Sequence, residues 1–99
     1  MIALGAEAVY IASSAQMAMG CIRCRACHTG RCPVGMCAQT DKLNVNEASY
    51  AVANFLKGAV DEMEMLCRIV GRPNVRELCT DDMAALDPEV SRITGVSLA

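Results

Sequence analysis

The sequence contains no tryptophan and only two tyrosines and one phenylalanine, although 54% of its residues are hydrophobic. Its core must therefore be built from Ala, Val, Leu, Ile and Met. The smaller of these side chains bury little area each, and burial contributes roughly 25 cal/mol per Å². A chain of 99 residues forms at most one small domain and is marginally stable by itself. We therefore expect this chain to depend on a cofactor, a partner or further sequence.

The sequence also lacks the features of nucleic-acid-binding, membrane and secreted proteins. Its formal net charge is −2, so no basic excess points to nucleic acid or an anionic membrane. No stretch approaches the roughly 20 apolar residues of a membrane span. The apolar first 20 residues contain Glu7 and no basic segment, so we do not identify them as a signal peptide. We expect a cytoplasmic protein.

Seven cysteines are present, and four of them lie in one short segment. In a reducing compartment such cysteines indicate metal binding or catalysis rather than disulfides. Their spacing is C-x2-C-x2-C-x4-C-P, formed by Cys21, Cys24, Cys27 and Cys32. A two-cluster ferredoxin is excluded, because the last gap is one residue longer than in its motif and no second run exists.

Three chemistries are compatible with this segment to different degrees. Zinc sites usually have two separated pairs of ligands, whereas here all ligands lie in one loop. A catalytic thiol would have to pair with His28, which directly follows Cys27. An iron–sulfur cluster agrees best, because one loop with cysteines at short intervals can surround it. Arg23, Arg25 and Arg31 would offset the negative charge of the cluster and raise its potential. We expect the other three cysteines to be buried small hydrophobic residues, and these are Cys37, Cys67 and Cys79.

The pattern of the chain predicts a mostly α-helical fold with one strand. Residues 8–11 (AVYI) form a short β-rich run, and residues 16–19 could start a helix that stops at Gly20. A long amphipathic helix is predicted to begin at the N-cap Asn44 and to end at Gly71. Short helices follow, one of them starting at Asp87-Pro88. The predicted segments are 1–20, 21–43 (cysteine loop and linker), 44–71 (long helix) and 72–99 (helical tail).

The segment CHTGRCPVG, with Cys21 five intervening residues upstream, resembles the FMN-binding synthase domain of glutamate synthase. ALGAEAVYI resembles the last βα unit of its (β/α)8 barrel, and LDPEVSRITGVSLA resembles the tail of the archaeal-type form. The resemblance implies a [3Fe–4S] cluster on Cys21, Cys27 and Cys32. Cys24 is extra, and as a fourth ligand it would permit a [4Fe–4S] cluster.

The resemblance also implies a flavin contact and a reaction. Ser13 and Ser14 would bind the FMN phosphate in the loop after the last barrel strand, or else act as ordinary helix caps. Electrons from ferredoxin or an NAD(P)H-linked subunit would pass through the cluster to FMN. Reduced FMN would then form glutamate from 2-oxoglutarate and glutamine-derived ammonia.

The resemblance covers only the end of a barrel, because a complete one needs roughly 250 residues. It implies a fragment or a separately encoded subunit, whose partners are the rest of the barrel and the glutaminase part. Alone the chain could form a homo-oligomer. The alternative is a non-enzymatic module stabilised by zinc or a cluster, or an inactive remnant.

Overall fold

The computed structural model describes residues 1–38 and 41–99, and within these ranges the chain is mostly helical and contains no sheet. Its α-helices are α1 (Ala12–Ala18), α2 (Val45–Ile69) and α3 (Pro88–Thr94). Short 3-10 turns cover Ile2–Leu4, Cys27–Thr29, Val75–Glu77 and Thr80–Asp82. No helix in the described residues is both long enough and apolar enough to cross a membrane.

The chain divides into two compact units, and the division falls within α2. One unit comprises Ile11–Ala59 and contains the cysteine segment. The other comprises Met1–Tyr10 together with Val60–Ala99. Gln39 and Thr40, which belong to the predicted linker, lie outside the described residues. The four segment boundaries given above remain predictions.

The predicted strand at residues 8–11 is wrong. Residues 8–10 form no regular element, and Ile11 is the N-cap of α1. A strand is stable only when a neighbour pairs with its backbone groups. Within the described residues the β pairing is an isolated bridge between Ala85 and Leu98, far along the sequence. The helix also begins at Ala12 rather than Gln16.

The long helix α2 has the boundaries that its capping residues predict. The side-chain oxygen of Asn44 accepts the N–H groups of Asn46 and Glu47 at 3.1 and 3.3 Å. At the other end Gly71 has a φ of 74°, and the N–H of Arg72 donates to the carbonyl of Cys67 at 2.8 Å. This is the glycine-terminated end that the sequence indicates.

The apolar side chains of α2 are largely uncovered. Those left exposed are Val45, Tyr50, Phe55, Leu56, Val60, Met63, Met65, Leu66 and Ile69. The buried hydrophobic residues of the described chain are mostly small, namely Cys32, Ala48, Cys67, Ala85 and Val96. Burial of such small side chains stabilises the fold weakly. The core is therefore consistent with the expectation that the chain depends on a cofactor, a partner or further sequence.

The tail is held by local caps and one charged contact. Asp87 caps α3 by accepting the N–H groups of Glu89 and Val90, and Gly95 ends the helix with a φ of 72°. The start at Asp87 agrees with the sequence prediction. Arg72 donates to both carboxylate oxygens of Asp82 at 2.9 Å. Its guanidinium also lies 3.1 Å from the Cys79 sulfur, so this half-buried thiol is a hydrogen-bond acceptor.

Asp82 makes the stability of this unit depend on pH. The pKa of Asp82 lies below its usual value, chiefly because the N–H of Cys79 donates to its carboxylate. The Arg72 guanidinium adds to this lowering, and partial burial opposes it. A lowered folded pKa means that the stabilisation is complete above the pKa of an unfolded aspartate, about 3.9, and is lost as pH falls through the folded value.

We therefore expect Asp82→Asn to remove most of this acid sensitivity and to lower the denaturation midpoint at neutral pH. Denaturant unfolding followed by circular dichroism at a series of pH values measures it. Asp81→Asn is the matched control, because Asp81 is adjacent and exposed. Equal pH profiles for the two variants would show that the Asp82 contacts do not stabilise the fold.

Candidate metal centre

The end of α1 delivers the chain to the first cysteine. Gly20 has a φ of 97°, a conformation that glycine adopts without strain. Its N–H donates to Met17 at 2.9 Å, and the N–H of Cys21 donates to the carbonyl of Gln16 at 3.0 Å. This closed helix end fixes the backbone at Cys21 relative to α1.

Five cysteines border one cavity in the Ile11–Ala59 unit, and we call it the cysteine cavity. Its lining cysteines are Cys21, Cys24, Cys27, Cys32 and Cys37, and its other lining residues are Ser13, Gln16, Ile22, Arg23, Arg25, Val34 and Met36. Its volume is about 200 Å³. This far exceeds the ~30 Å³ share of one water molecule, so the cavity has room for a polyatomic group.

The first half of the cysteine segment has an unusual backbone. Arg23 and Arg25, on either side of Cys24, have φ values of 54° and 58°. Non-glycine residues rarely adopt this left-handed conformation, and where they do the strain often accompanies a functional site. The N–H of Arg23 lies 3.4 Å from the Cys21 sulfur.

A 3-10 turn holds the third cysteine. Cys27 starts the turn Cys27–Thr29, which ends at Gly30 with a φ of 68°. The Thr29 hydroxyl donates to the carbonyl of Ala26 at 2.7 Å and accepts the N–H of Arg31 at 3.2 Å. These contacts fix the backbone on both sides of Cys27, whose own side chain is exposed toward the cavity.

The backbone of the turn after Cys32 lowers the pKa of the Cys32 thiol. The pKa of the Cys32 thiol is lowered, chiefly by the N–H of Cys37 and also by those of residues 34–36, while burial acts in the opposite direction. Cys32 is only 8% exposed. Backbone donors stabilise the thiolate, which is the form that binds metals.

Cys37 is the residue that the sequence interpretation missed. We expected a buried small hydrophobic residue, but Cys37 is exposed and borders the cysteine cavity. Its pKa is raised, first by a hydrogen bond with the Cys27 side chain and then by the negative charges of Cys27, Cys32 and Cys21. The sequence signal that could have indicated this position is Cys32-Pro33 followed by Gly35. This pattern is typical of a turn, and the turn returns the chain toward Cys32.

The structure places some of the other predicted residues at the cysteine cavity and others away from it. Arg23, Arg25 and Ser13 border the cysteine cavity. Arg31 and His28 are exposed and are not among the residues that line it. Ser14 lies in α1 and is half-buried, and its N–H donates to the carbonyl of Ile11. Of the remaining cysteines, Cys67 is buried as expected.

The sulfur atoms are not gathered around a single point. Within residues 1–38 and 41–99 no three His, Cys, Asp or Glu side chains form a group that could hold one metal ion. A cluster does not require such a group, because each cysteine thiolate binds a different iron atom. The relevant feature is therefore the number of thiols that border one cavity.

Substitution of Gly35 tests the geometry of the turn that follows Cys32. Gly35 is buried with a φ of 86°, and an added Cβ would lie 2.8 Å from the Leu43 nitrogen. Gly30 also has a positive φ, but nothing lies near its position for a Cβ. We expect Gly30→Ala to lose roughly 1 kcal/mol of stability and Gly35→Ala to lose more, because backbone atoms must also move. Thermal unfolding compares them, and equal losses would contradict the close approach at Gly35.

The chain is a helical segment with a cysteine-lined cavity. Comparison with known sequences shows the family to which it belongs. The family described as "Conserved region in glutamate synthase" matches residues 1–72. The archaeal glutamate synthase [NADPH] of Archaeoglobus fulgidus is 44% identical over 70 residues, covering 66% of this chain and 14% of that protein. The corresponding protein of Methanocaldococcus jannaschii is 36% identical over 81 residues, covering 78% and 16%.

A shorter match joins the chain to a second type of relative. The glutamate synthase [NADPH] large chain of Azospirillum brasilense is 55% identical over 40 residues, covering 40% of this chain and 3% of that protein. No solved structure matches. The chain belongs to the glutamate synthase family, and it spans about one seventh of the archaeal relatives named above.

Proposed function

We propose that residues 21–37 hold an iron–sulfur cluster and that this chain is the electron-relay part of a glutamate synthase. The observation that carries the proposal is the convergence of five cysteines on one cavity. Cys21, Cys27 and Cys32 have the C-x5-C-x4-C spacing of the family's cluster ligands, and Cys24 borders the same cavity as a candidate fourth ligand.

The charges and donors around the cavity support this assignment. A thiolate-ligated cluster is negatively charged, and the residues that line the cavity include two arginines and no acid. Backbone N–H groups of residues 34–37 act on the Cys32 sulfur, and the N–H of Arg23 lies near the Cys21 sulfur. Hydrogen bonds to sulfur and nearby positive charge are the features by which a protein raises a cluster's potential.

The part of the chain next to the cavity would also meet the flavin. Ser13 and Ser14 lie in the first turn of α1, and their hydroxyl groups are donors suited to a phosphate group. We assign them to the FMN phosphate, with the remaining flavin contacts supplied by the rest of the barrel. When bound, FMN would accept electrons and pass a hydride equivalent to substrate.

The exposed apolar side chains of α2 support the proposal that this chain has a partner. The relatives are much longer proteins, and in the proposed complex the remainder of the barrel covers the apolar side chains of α2. The electron donor is ferredoxin or an NAD(P)H-linked subunit, and the glutaminase part supplies ammonia. The overall reaction is then the reductive formation of glutamate from 2-oxoglutarate.

The proposal is tested by mixing the cluster-loaded, dithionite-reduced chain with the FMN-containing remainder of the synthase domain under anaerobic conditions. Stopped-flow absorbance is expected to show reduction of the flavin. The two components are expected to co-elute on gel filtration. The matched control is the same chain treated with an iron chelator. Equal flavin reduction by both samples, or none by either, would contradict the electron-relay role.

A further inference from the structure

The charged residues of the chain are distributed unevenly along the sequence. Residues 8–40 contain Arg23, Arg25 and Arg31 but no acid, and all eleven acids of the chain lie outside this stretch. The net charge of −2 therefore combines a basic cysteine segment with an otherwise acidic chain. A local excess of one charge attracts partners of the opposite charge and speeds their association.

The three arginine side chains of the cysteine segment are exposed, and none forms an ion pair within residues 1–38 and 41–99. In contrast, Arg68, Arg72 and Arg92 each pair with a carboxylate, at 3.1, 2.9 and 3.0 Å. The guanidinium groups of the cysteine segment are therefore available to a carboxylate from another molecule. Guanidinium and carboxylate groups match in geometry and form two parallel hydrogen bonds.

An exposed apolar side chain accompanies these charges at the cysteine cavity. Ile22 is 65% exposed and borders the cavity together with Arg23 and Arg25. Arg31 lies in the same segment but does not line the cavity. We call Ile22, Arg23, Arg25 and Arg31 the arginine patch. Apolar contacts with a charged rim are typical of protein interfaces, and small interfaces of this kind serve brief encounters between redox proteins.

The composition of the arginine patch favours a protein partner over a nucleic acid. Residues 21–37 contain no aromatic side chain on which a base could stack. The negative net charge of the whole chain opposes non-specific binding to a polyanion such as DNA. An acidic face of a protein is the ligand that fits three arginines and an exposed isoleucine.

We propose that the arginine patch is the docking site for an acidic electron-transfer protein that reduces the cluster. This inference rests on the proposed function, because it names the surface at which the electron donor binds. One electron passes from the reduced centre of the donor to the cluster, so the donor is oxidised and the cluster is reduced. No covalent bond forms or breaks. Arg23 and Arg25 border the cysteine cavity, and a donor docked there is therefore brought to the site of the cluster.

The experiment measures the association of an acidic two-iron ferredoxin with the immobilised, cluster-loaded full chain by biolayer interferometry. Arg31→Asn is compared with Arg76→Asn, the matched control, because Arg76 is also exposed but lies in the other unit. Arg31→Asn is expected to slow association roughly two- to tenfold at low salt, since it removes one of three attracting charges. The difference should shrink at physiological salt, which screens exposed charges. Arg76→Asn should associate at the rate of the parent chain.

Iron content and circular dichroism are recorded for every chain before the binding measurement. If the parent chain holds its cluster and Arg31→Asn associates as fast as the parent, the inference is overturned and the proposed function stands. Equal slowing by Arg31→Asn and Arg76→Asn would also overturn it, because the overall charge would then govern association. Tighter binding of a short DNA duplex than of the ferredoxin would replace the acidic protein by a nucleic acid. A parent chain that binds no iron would remove the proposed function and this inference together.

Discussion

Cys32→Ser is expected to abolish stable iron incorporation. The sulfur of Cys32 is the most buried at the cysteine cavity, and the N–H groups of residues 34–37 favour its thiolate. A serine hydroxyl has nearly the same shape but remains protonated near neutral pH, so it binds iron poorly. After anaerobic reconstitution we expect the iron content to fall from about three or four atoms per chain to far below one. Iron determination and visible absorbance measure this loss.

The control for this prediction is Cys79→Ser. Cys79 lies in the other unit, where its sulfur accepts from Arg72, and a serine oxygen can accept in its place. Both variants should have the helix content of the parent chain by circular dichroism before iron is added. Full iron incorporation in Cys32→Ser would rule out Cys32 as a ligand. Loss of iron in both variants would mean that the effect is not specific to the cavity.

Arg23→Asn and Arg25→Asn are each expected to lower the reduction potential of the reconstituted chain by tens of millivolts. Both arginines border the cysteine cavity, and a positive charge there favours the reduced, more negative form. A unit charge roughly 10 Å away, at an effective dielectric constant near 20, changes the free energy by about 1.7 kcal/mol. For a one-electron couple this corresponds to roughly 70 mV before screening by solvent.

Asparagine is chosen because it tolerates the left-handed backbone that both arginines adopt. The variants therefore remove the charge with little change in strain. Arg31→Asn is the matched control, since Arg31 lies in the same segment but not on the cavity. Potentiometric titration followed by EPR compares the three. If Arg31→Asn shifts the reduction potential as much as the other two variants do, the overall charge of the segment, and not the charge at the cavity, sets the potential.

The helices of this chain were predictable because their ends are encoded locally. Asn44, Asp87-Pro88 and Gly95 form caps that depend on neighbouring residues only. The strand at residues 8–11 was predicted wrongly, because a strand depends on pairing with distant or absent segments. The start of α1 was displaced by four residues, since Ala12–Ala15 are acceptable both in a loop and in a helix.

The candidate site was predictable in its cysteine spacing and only partly in its geometry. Cys21, Cys24, Cys27 and Cys32 all border the same cavity, as the dense spacing indicates. The position of Cys37 at the cavity was missed, because the spacing of the first four cysteines does not include the turn at Gly35 that precedes it. Arg31 does not line the cavity although it lies between two cysteines that do, and the spacing alone does not reveal this.

The most direct test of the account is the metal and sulfide content of the full chain purified anaerobically from its native source. The account predicts iron and acid-labile sulfide in nearly equal amounts, about three or four of each per chain, with little zinc. Visible absorbance should bleach on addition of dithionite. Zinc without iron, or no metal in protein kept free of oxygen throughout, would contradict the central claim that these cysteines hold an iron–sulfur cluster.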